Sequence, residues 1–476
     1  MEKKVCLFLL VLCTIFCSCG KGQKGPNSNS KEKQTSGKAI RPNILFLLAD
    51  DLGYGELGAY GQKMVKTPIL DSLANLGMRF TDFYAGSPVC SPSRAVLMTG
   101  IPSSKNTIRG NNGLYTTGEW RRVALKKEEP TLGEMLGNAG YQTAFIGKWH
   151  LGIPDDVGTW AHARGFQYAV QEQWTARYGG RNFDGPMEYI NGIQDSINFD
   201  YTQWDSHDDF RTQLALDYLD TKRNTDKPFF LFMSFRAPHG HEYVIGNKEL
   251  YRDLGWPAQE RLHAAKITLL DKQVGRLLRK LETMGELENT LILFTSDNGP
   301  HQEGDDHDHE FFNSNGALKG YKRDLYEGGL RVPFIAYWKG KIAEGLTSSF
   351  IGSFQDIMPT LAQVAGTPVP EQATGTSLLP VLLGESHGER PYLNWEFVKT
   401  SRKNSFRQSV RMGNFKGVRY AVDAPTELYD LETDISETNN IADQHPEIIK
   451  KMNHIFKEDR IANSHYPYGG SQDQKK

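Results

Sequence analysis

Residues 43–51 read NILFLLADD, a nearly unbroken apolar run that ends on two aspartates. A run without polar alternation is typical of a strand that is buried on both faces, as in a parallel sheet. Similar runs occur at residues 142–146, 229–235, 291–295 and 333–338, separated by helical patterns such as those at 131–139 and 261–284. Strands that alternate with helices predict an α/β fold, with a large mixed, mostly parallel sheet flanked by helices.

Four of these runs are followed directly by chemically reactive or charged residues. The four segments are Asp50-Asp51, Gly147-Lys148-Trp149-His150, Arg236-Ala237-Pro238-His239 and Ser296-Asp297-Asn298-Gly299. In open α/β sheets, ligands bind outside the carboxyl ends of the strands. We therefore expect the four strand ends to form one site.

The pattern changes beyond about residue 350. Residues 356–370 have the periodicity of a helix stopped by Gly and Pro, 390–418 resemble short strands joined by turns, and 446–457 form a further helical pattern. The predicted organisation is a large α/β domain at 41–350, a smaller C-terminal α+β subdomain at 351–465 and a polar tail at 466–476.

The N-terminus has the features of an export signal. Two lysines precede the apolar run at residues 5–16, which is too short for a permanent transmembrane helix and suits the hydrophobic region of a signal peptide at 1–18. The junction FCSCG resembles a bacterial lipobox with Cys19 as the lipidated residue. Residues 19–40 are polar and predict a flexible tether. We expect an exported lipoprotein of a Gram-negative bacterium, periplasmic or at the cell surface, whose only membrane contact is the lipid; the alternative is an ordinary cleaved signal with incidental cysteines.

Charge and cysteine content exclude some classes of function. Lys and Arg number 55 and Asp and Glu 57, for a formal charge of -2, so no basic excess indicates a nucleic-acid partner. Four of the five cysteines lie in the first nineteen residues. Cys90 is therefore left without a disulfide partner once that segment is removed or modified.

Residues 87–94 read SPVCSPSR and place Cys90 next to a predicted helix start. Ser91 can cap a helix and Pro92 suits its first turn, so the thiol would lie where the helix dipole favours an anion and would be reactive. For an isolated cysteine, the alternative is a small buried side chain beside a turn.

The segment CSPSR at 90–94 resembles the C-x-P-S-R signature of the type I, formylglycine-dependent sulfatases, which include the arylsulfatases. The further matches, in the family's order around this segment, are DD at 50–51, GKWHLG at 147–152, APH at 237–239, SDNG at 296–299, LKGYK at 318–322, EGGLRVP at 327–333 and ELYDL at 427–431. The resemblance covers about residues 41–450. It implies an alkaline-phosphatase-like fold and a hydrolase that removes O-sulfate from a carbohydrate. It also implies that a maturase oxidises Cys90 to formylglycine.

A metal site is expected at the strand ends. Asp50, Asp51, Asp297 and Asn298 offer oxygen ligands, which suit a hard cation and favour Ca²⁺ or Mg²⁺ over zinc. Taken singly, each could be an ordinary turn residue. The resemblance implies one Ca²⁺, with residue 90 as a further ligand: one hydroxyl of its hydrated aldehyde binds the metal and the other attacks sulfur.

The resemblance also assigns roles to five other residues. Arg94 holds the hydrate and the metal-ligand oxygens, while Lys148 and Lys322 neutralise the sulfate. His239 protonates the leaving sugar oxygen and His150 is the base, although these two roles could be exchanged. Taken singly, Arg94 could form a surface salt bridge and either lysine could be solvated.

Three segments could shape a sugar pocket: 107–112, 171–184 and the histidine-rich loop HQEGDDHDHE at 301–310. The substrate-binding candidates are Arg109, Asn111, Trp174 and Arg177. Arg109-Gly110-Asn111 resembles family members that act on galactose-configured sulfated sugars, including N-acetylgalactosamine. We interpret His301, His307 and His309 as an accidental metal-like patch on a solvated surface or a pocket wall.

Two other functions remain open. A phosphatase or phosphodiesterase of the alkaline phosphatase superfamily would normally need a Ser or Thr nucleophile and a two-metal site that contains histidine. An inactive, glycan-binding sulfatase-like lipoprotein would be expected to lack at least one of the reactive residues, all of which are present.

Overall fold

A computed structural model describes residues 41–172, 188–193, 197, 203–240, 250–302, 307–400 and 405–469. The chain from Arg41 onward forms one compact unit. None of the helices in these ranges combines the length and the apolar character needed to cross a bilayer.

The described strands and helices alternate along most of the chain. The strands are β1 (Asn43–Asp50), β2 (Met78–Phe80), β3 (Phe83–Tyr84), β4 (Gly113–Leu114), β5 (Trp120–Arg121), β6 (Gln142–Lys148), β7 (Tyr168–Glu172), β8 (Glu188–Ile190), β9 (Phe229–Pro238), β10 (Thr290–Ser296), β11 (Phe334–Tyr337), β12 (Leu346–Ser348), β13 (Gly352–Ser353), β14 (Leu393–Val398), β15 (Phe406–Met412), β16 (Phe415–Arg419) and β17 (Glu427–Asp430). The α-helices are α1 (Pro68–Asn75), α2 (Cys90–Thr99), α3 (Leu132–Asn138), α4 (His207–Asp217), α5 (Ala258–Thr283), α6 (Glu327–Leu330), α7 (Ile357–Ala365), α8 (Leu379–Leu382) and α9 (Pro446–Glu458).

The main sheet has nine described strands in the order β12-β2-β11-β10-β1-β9-β6-β7-β8. The five consecutive strands from β10 to β7 are mutually parallel. Strand β11 pairs antiparallel with β10 and β2, and β8 pairs antiparallel with β7. The predicted large, mixed and mostly parallel sheet is therefore confirmed.

Strand β1 is buried along its whole length because helices cover both faces of the sheet. Phe46 and Leu48 pack in one apolar cluster with residues of α2, α3 and α7, whereas Leu45 and Leu47 pack in another with residues of α1 and α5. Successive side chains of a strand point to opposite faces. This arrangement explains why the sequence of β1 shows no polar alternation.

The register of the parallel strands brings their carboxyl ends to one edge. Ala49 of β1 pairs with Ser296 of β10, and Asp50 pairs with Pro238 of β9. On the other side of β9, Gly147 of β6 pairs with Ser234. The polar residues that follow these strands therefore meet at a single place.

The smaller sheet consists of β14, β15, β16 and β17 in antiparallel order, and α9 packs against it through Met452 and Phe456. The sheet begins at Leu393, some forty residues after the predicted boundary. The intervening helix α7 instead packs against α2 and α3, which belong to the helical layer on one face of the main sheet, and Ile357 and Leu361 share an apolar cluster with Phe46. The apolar face of α7 is thus buried in this layer.

Buried charges tie the smaller sheet to α6 and β3 at Glu327, the first residue of α6. Its carboxylate accepts hydrogen bonds from Tyr84 (2.7 Å), Arg331 (2.6 Å) and Lys416 of β16 (2.7 Å). Burial alone would raise the pKa of Glu327, but Lys416 and Arg331 outweigh it and hold the pKa well below its usual range. The carboxylate therefore stays charged inside the interface.

Candidate active site

Cys90 is the first residue of α2, a helix that is buried along its length. Ser91 does not cap this helix as predicted, because Val89 is the N-cap residue and makes no side-chain cap bond. The Ser91 hydroxyl instead donates to the carbonyl oxygen of His150 (2.6 Å), and its backbone N–H donates to Asn111 Oδ1 (3.2 Å). These bonds fix the first turn of α2 and place Asn111 beside it.

The Cys90 thiol is enclosed, with 1% of the residue exposed. Its Sγ lies 3.5 Å from Asp50 Oδ1 and 3.8 Å from Asp51 Oδ1. Burial raises the pKa of the thiol to about 12, although Lys148 and Lys322 oppose the shift. The unmodified thiol is therefore protonated at neutral pH, and the expectation that the helix terminus makes it reactive is wrong.

Oxygen atoms from three aspartates converge next to this thiol. Asp50, Asp51, Asp297 and Cys90 each offer one ligand atom, and these atoms lie within 4.8 Å of one another. Asn298 donates from Nδ2 to Asp51 Oδ1 (2.7 Å), while its own Oδ1 is buried and has no hydrogen-bond partner among the described residues. An unsatisfied buried oxygen beside three carboxylates fits a hard cation such as Ca²⁺.

Three cationic side chains pair with the three carboxylates. The pairs are Lys148 Nζ with Asp50 Oδ2 (2.5 Å), Lys322 Nζ with Asp51 Oδ2 (2.7 Å) and Arg94 Nε with Asp297 Oδ2 (2.8 Å). All six side chains are buried. The structure thus brings the predicted lysines and Arg94 to the predicted metal ligands.

The carboxylates differ in how well their charge is compensated. Burial would raise the pKa of Asp50, but Lys148 and Arg94 hold it well below its usual range. Burial raises the pKa of Asp297 to about 7 despite Arg94, and the negative charges of Asp50 and Asp51 add to the rise. The site can therefore accommodate further positive charge, as a bound divalent cation would provide.

The two predicted histidines lie at this edge in different surroundings. His239 Nε2 lies 3.5 Å from Asp51 Oδ2 and 3.4 Å from Lys322 Nζ. Burial, Arg122 and Lys148 together hold the pKa of His150 well below its usual range, and within the described part of the chain its ring nitrogens have no hydrogen-bond partner. His150 is thus neutral in this site.

Arg109 is not available to a substrate, contrary to the prediction. It is 0% exposed, forms an ion pair with Glu396 of β14 and donates from Nε to the carbonyl oxygen of Asn106 (3.0 Å). Its role is to join the segment after α2 to the smaller sheet. Of the other three candidates, Asn111 lies beside the first turn of α2, whereas Trp174 and Arg177 lie outside the described residues.

Two residues of the site carry no motif that sequence reasoning recognised. Ser234 interrupts the apolar run of β9, accepts a hydrogen bond from Arg94 Nη1 (2.7 Å) and donates to the carbonyl oxygen of Lys148 (2.8 Å). A lone polar residue in a buried strand is the signal that could have revealed it. The second residue is Arg122, which is half-buried and donates from Nη1 to Ser91 Oγ (3.3 Å).

The histidine-rich loop was predicted to be either a solvated surface or a pocket wall, and its described residues are divided between buried histidines and exposed residues such as Asp308 and Glu310. His301 and His307 are 1% and 3% exposed, and His309 is partly exposed. The ring of His301 lies 6.0 Å from that of His239, so His301 belongs to the wall of the site. Residues 303–306 of this loop are outside the described ranges.

Partners from other elements account for the burial of His307. Its ring stacks on His263 of α5 at 3.5 Å between centroids, and its Nδ1 lies 2.6 Å from Glu260 Oε2. His263 Nε2 lies 2.6 Å from Glu56 Oε1. The two glutamates, distant in sequence, thus hold His263 and His307 in the interior.

Comparisons with known proteins agree with this geometry. The profile of the sulfatase family matches residues 42–367, and a profile described as N-sulphoglucosamine sulphohydrolase, C-terminal, matches residues 319–462. Human N-acetylgalactosamine-6-sulfatase is 34% identical over 75% of this chain and 68% of its own length. N-acetylgalactosamine-6-O-sulfatase of Bacteroides thetaiotaomicron is 27% identical over 95% of this chain and 99% of its own.

Solved structures extend the likeness. The crystal structure of Ps i-CgsB in complex with k-i-k-neocarrahexaose has a TM-score of 0.76 and 26% identity, and it covers 90% of this chain and 95% of its own. A phosphonate monoester hydrolase of Agrobacterium radiobacter has a TM-score of 0.62 and 21% identity, over 87% of this chain and 95% of its own. The second comparison shows a shared fold alone.

Proposed function

The chain belongs to the sulfatase family and is a sulfuric ester hydrolase, and we propose that its substrate is a sulfated carbohydrate with a galactose or N-acetylgalactosamine unit. The observation that carries the sulfate-ester chemistry is the position of Cys90, with its Sγ within 3.8 Å of two carboxylates that Lys148 and Lys322 neutralise. The names of the human and Bacteroides relatives support the sugar class.

We propose further that Cys90 is converted to formylglycine by a maturase. The segment CSPSR at 90–94 and the enclosed position of Cys90 beside Asp50 and Asp51 support this conversion. The hydrated aldehyde supplies a hydroxyl that can attack sulfur.

One Ca²⁺ is the metal that the donor set favours. Asp50, Asp51, Asp297 and Asn298 would hold it together with residue 90, and the buried Oδ1 of Asn298 would gain a partner. Bound there, the ion would withdraw charge from a sulfate oxygen and lower the pKa of a hydroxyl at residue 90.

The remaining chemistry belongs to side chains of this chain. Lys148 and Lys322 provide fixed positive charge for the sulfate in a buried site, where electrostatic interactions are strong. His239 donates a proton to the leaving sugar oxygen. His150, which is held neutral, is the base that accepts a proton when the sulfated hydrate at residue 90 opens and releases sulfate.

The test is hydrolysis by protein purified after co-expression with a maturase. We expect sulfate release from a panel of sulfated mono- and disaccharides, with formylglycine at position 90 in the mass spectrum of the peptide 87–94. Cys90→Ala should fold and be inactive. Full activity with an unmodified thiol at position 90 would contradict the proposed nucleophile.

We also propose that the protein is exported and anchored by lipid at Cys19. The apolar run at 5–16, the FCSCG junction and the polar segment 19–40 support this proposal. These residues lie outside the described ranges. Periplasmic and surface display are both compatible with the sequence.

A further inference from the structure

Arg122 lies beside the residue that follows the nucleophile position. Its Nη1 is 3.3 Å from Ser91 Oγ, and its charge contributes to the low pKa of the neighbouring His150. The side chain is half-buried, so part of it remains accessible.

Among the described residues, Arg122 forms no ion pair with a carboxylate, unlike the other arginines close to α2. Arg94 pairs with Asp297, and Arg109 pairs with Glu396. Burial lowers the pKa of Arg122 to about 10, which leaves the guanidinium charged at neutral pH. A partly desolvated cation without a counter-charge is unfavourable unless an anion from outside the chain compensates it.

The contact with Ser91 does not account for this cation. The Ser91 hydroxyl already donates to the carbonyl oxygen of His150, and a neutral oxygen at 3.3 Å cannot compensate a full charge. The scissile sulfate has its own cations, Lys148 and Lys322, which contact the carboxylates of the oxygen cluster. Arg122 contacts none of those carboxylates.

We infer that Arg122 anchors a subsite for a second anionic group of the glycan, a carboxylate or another sulfate near the scissile one. This inference rests on the proposed function, since it names a further feature of the same substrate. A planar guanidinium can bind either anion through two parallel hydrogen bonds.

The test compares three substrates that share one sulfated sugar: a disaccharide with no other charge, one with a uronic acid carboxylate and one with a second sulfate. For each enzyme variant we take the ratio of kcat/KM on a doubly charged substrate to kcat/KM on the singly charged one. In Arg122→Ala this ratio should fall about 10- to 100-fold, the range expected for a charged hydrogen bond. The substrate with the larger fall identifies the anion.

Arg121→Ala is the matched control, because it removes the same charge one residue away. Arg121 is exposed, pairs with Glu119 and stacks over Tyr115, and its loss should leave the ratio unchanged. Arg122→Gln, which keeps the size and polarity of the side chain, should behave like Arg122→Ala and guards against a folding defect.

Each outcome decides one of the two proposals. The subsite would be overturned if the wild type hydrolyses the singly charged substrate and its kcat/KM ratio is near one. It would also be overturned if Arg122→Ala leaves that ratio unchanged. Either result leaves the sulfatase function intact. If the matured enzyme hydrolyses none of the three substrates, the proposed substrate class fails. Calorimetric binding of the doubly charged disaccharides to wild type and Arg122→Ala would then decide the subsite separately, and equal affinities would overturn it.

Discussion

His239 lies within 3.5 Å of two groups that can influence its proton, Asp51 and Lys322. If His239 protonates the leaving oxygen, its loss should matter most when that oxygen is a poor leaving group. We expect His239→Ala to lower turnover of a sulfated sugar about 10²- to 10⁴-fold and turnover of an activated aryl sulfate far less. Equal losses on both substrates would show that His239 binds sulfate, and His150 would then become the acid.

Asp297 supplies a carboxylate to the oxygen cluster and is itself paired only with Arg94 among the described cations. Asp297→Ala should abolish turnover, and chelation of the wild type should do the same until calcium is added back. Asp226→Ala, an exposed aspartate, is the control and should stay active. Activity that survives exhaustive chelation, or that only zinc restores, would contradict the hard-cation assignment and favour a phosphatase-like site.

At the scale of elements, helix α5 holds the start of α1 through one carboxylate. Asp271 accepts hydrogen bonds from the backbone N–H groups of Ile69 (3.1 Å) and Leu70 (2.7 Å), which the first turn of α1 leaves free. Burial raises the pKa of Asp271 to about 6. The folded state therefore binds this proton more tightly than the unfolded state.

A pH prediction follows for Asp271. The stabilisation from its protonated form is present at acidic pH and is lost as the pH rises from about 4 to about 6. Asp271→Asn is neutral throughout, so its free energy of unfolding relative to wild type should rise by up to about 3 kcal/mol across that interval. Urea unfolding of both proteins at several pH values measures the difference. Parallel pH dependences would refute the charge penalty.

Five strands of the main sheet, β1, β6, β9, β10 and β11, could be predicted because each is a continuous apolar run, and the metal ligands and histidines of the site could be predicted because they follow four of those runs directly. Cys90, Arg94 and Lys322 follow none of these runs and were recognised only through the family resemblance. Arg109 was misassigned because its partner Glu396 lies 287 residues away, and nothing in TIRGNN indicates an ion pair. The sequence left the histidine loop open between a solvated surface and a pocket wall for the same reason, since Glu56 and Glu260 belong to other elements. Long-range partners decide whether a polar side chain serves the substrate or the interior.

At the scale of the whole molecule, the proposed anchor sets how far the catalytic unit can move from a membrane. A tether of about twenty residues, as predicted from the sequence, would have a typical reach of about 25 Å, at ~5–6 Å × √n. Detergent partitioning should place the wild type in the detergent phase and Cys19→Ala in the aqueous phase. If both proteins stay aqueous, the segment is a plain secretory signal and the catalytic assignment is unaffected.

The enclosure of Cys90 also limits when the proposed oxidation could take place. The thiol belongs to the first residue of a buried helix and lies beside Asp50 and Asp51, so a maturase would have no access to it in the folded chain. The proposed oxidation would then come before folding, while residues 87–94 are still an unfolded peptide. A synthetic peptide of that segment should be converted by the maturase, whereas folded protein purified with its thiol should not. Chains that fold before they are oxidised would stay inactive for as long as they remain folded.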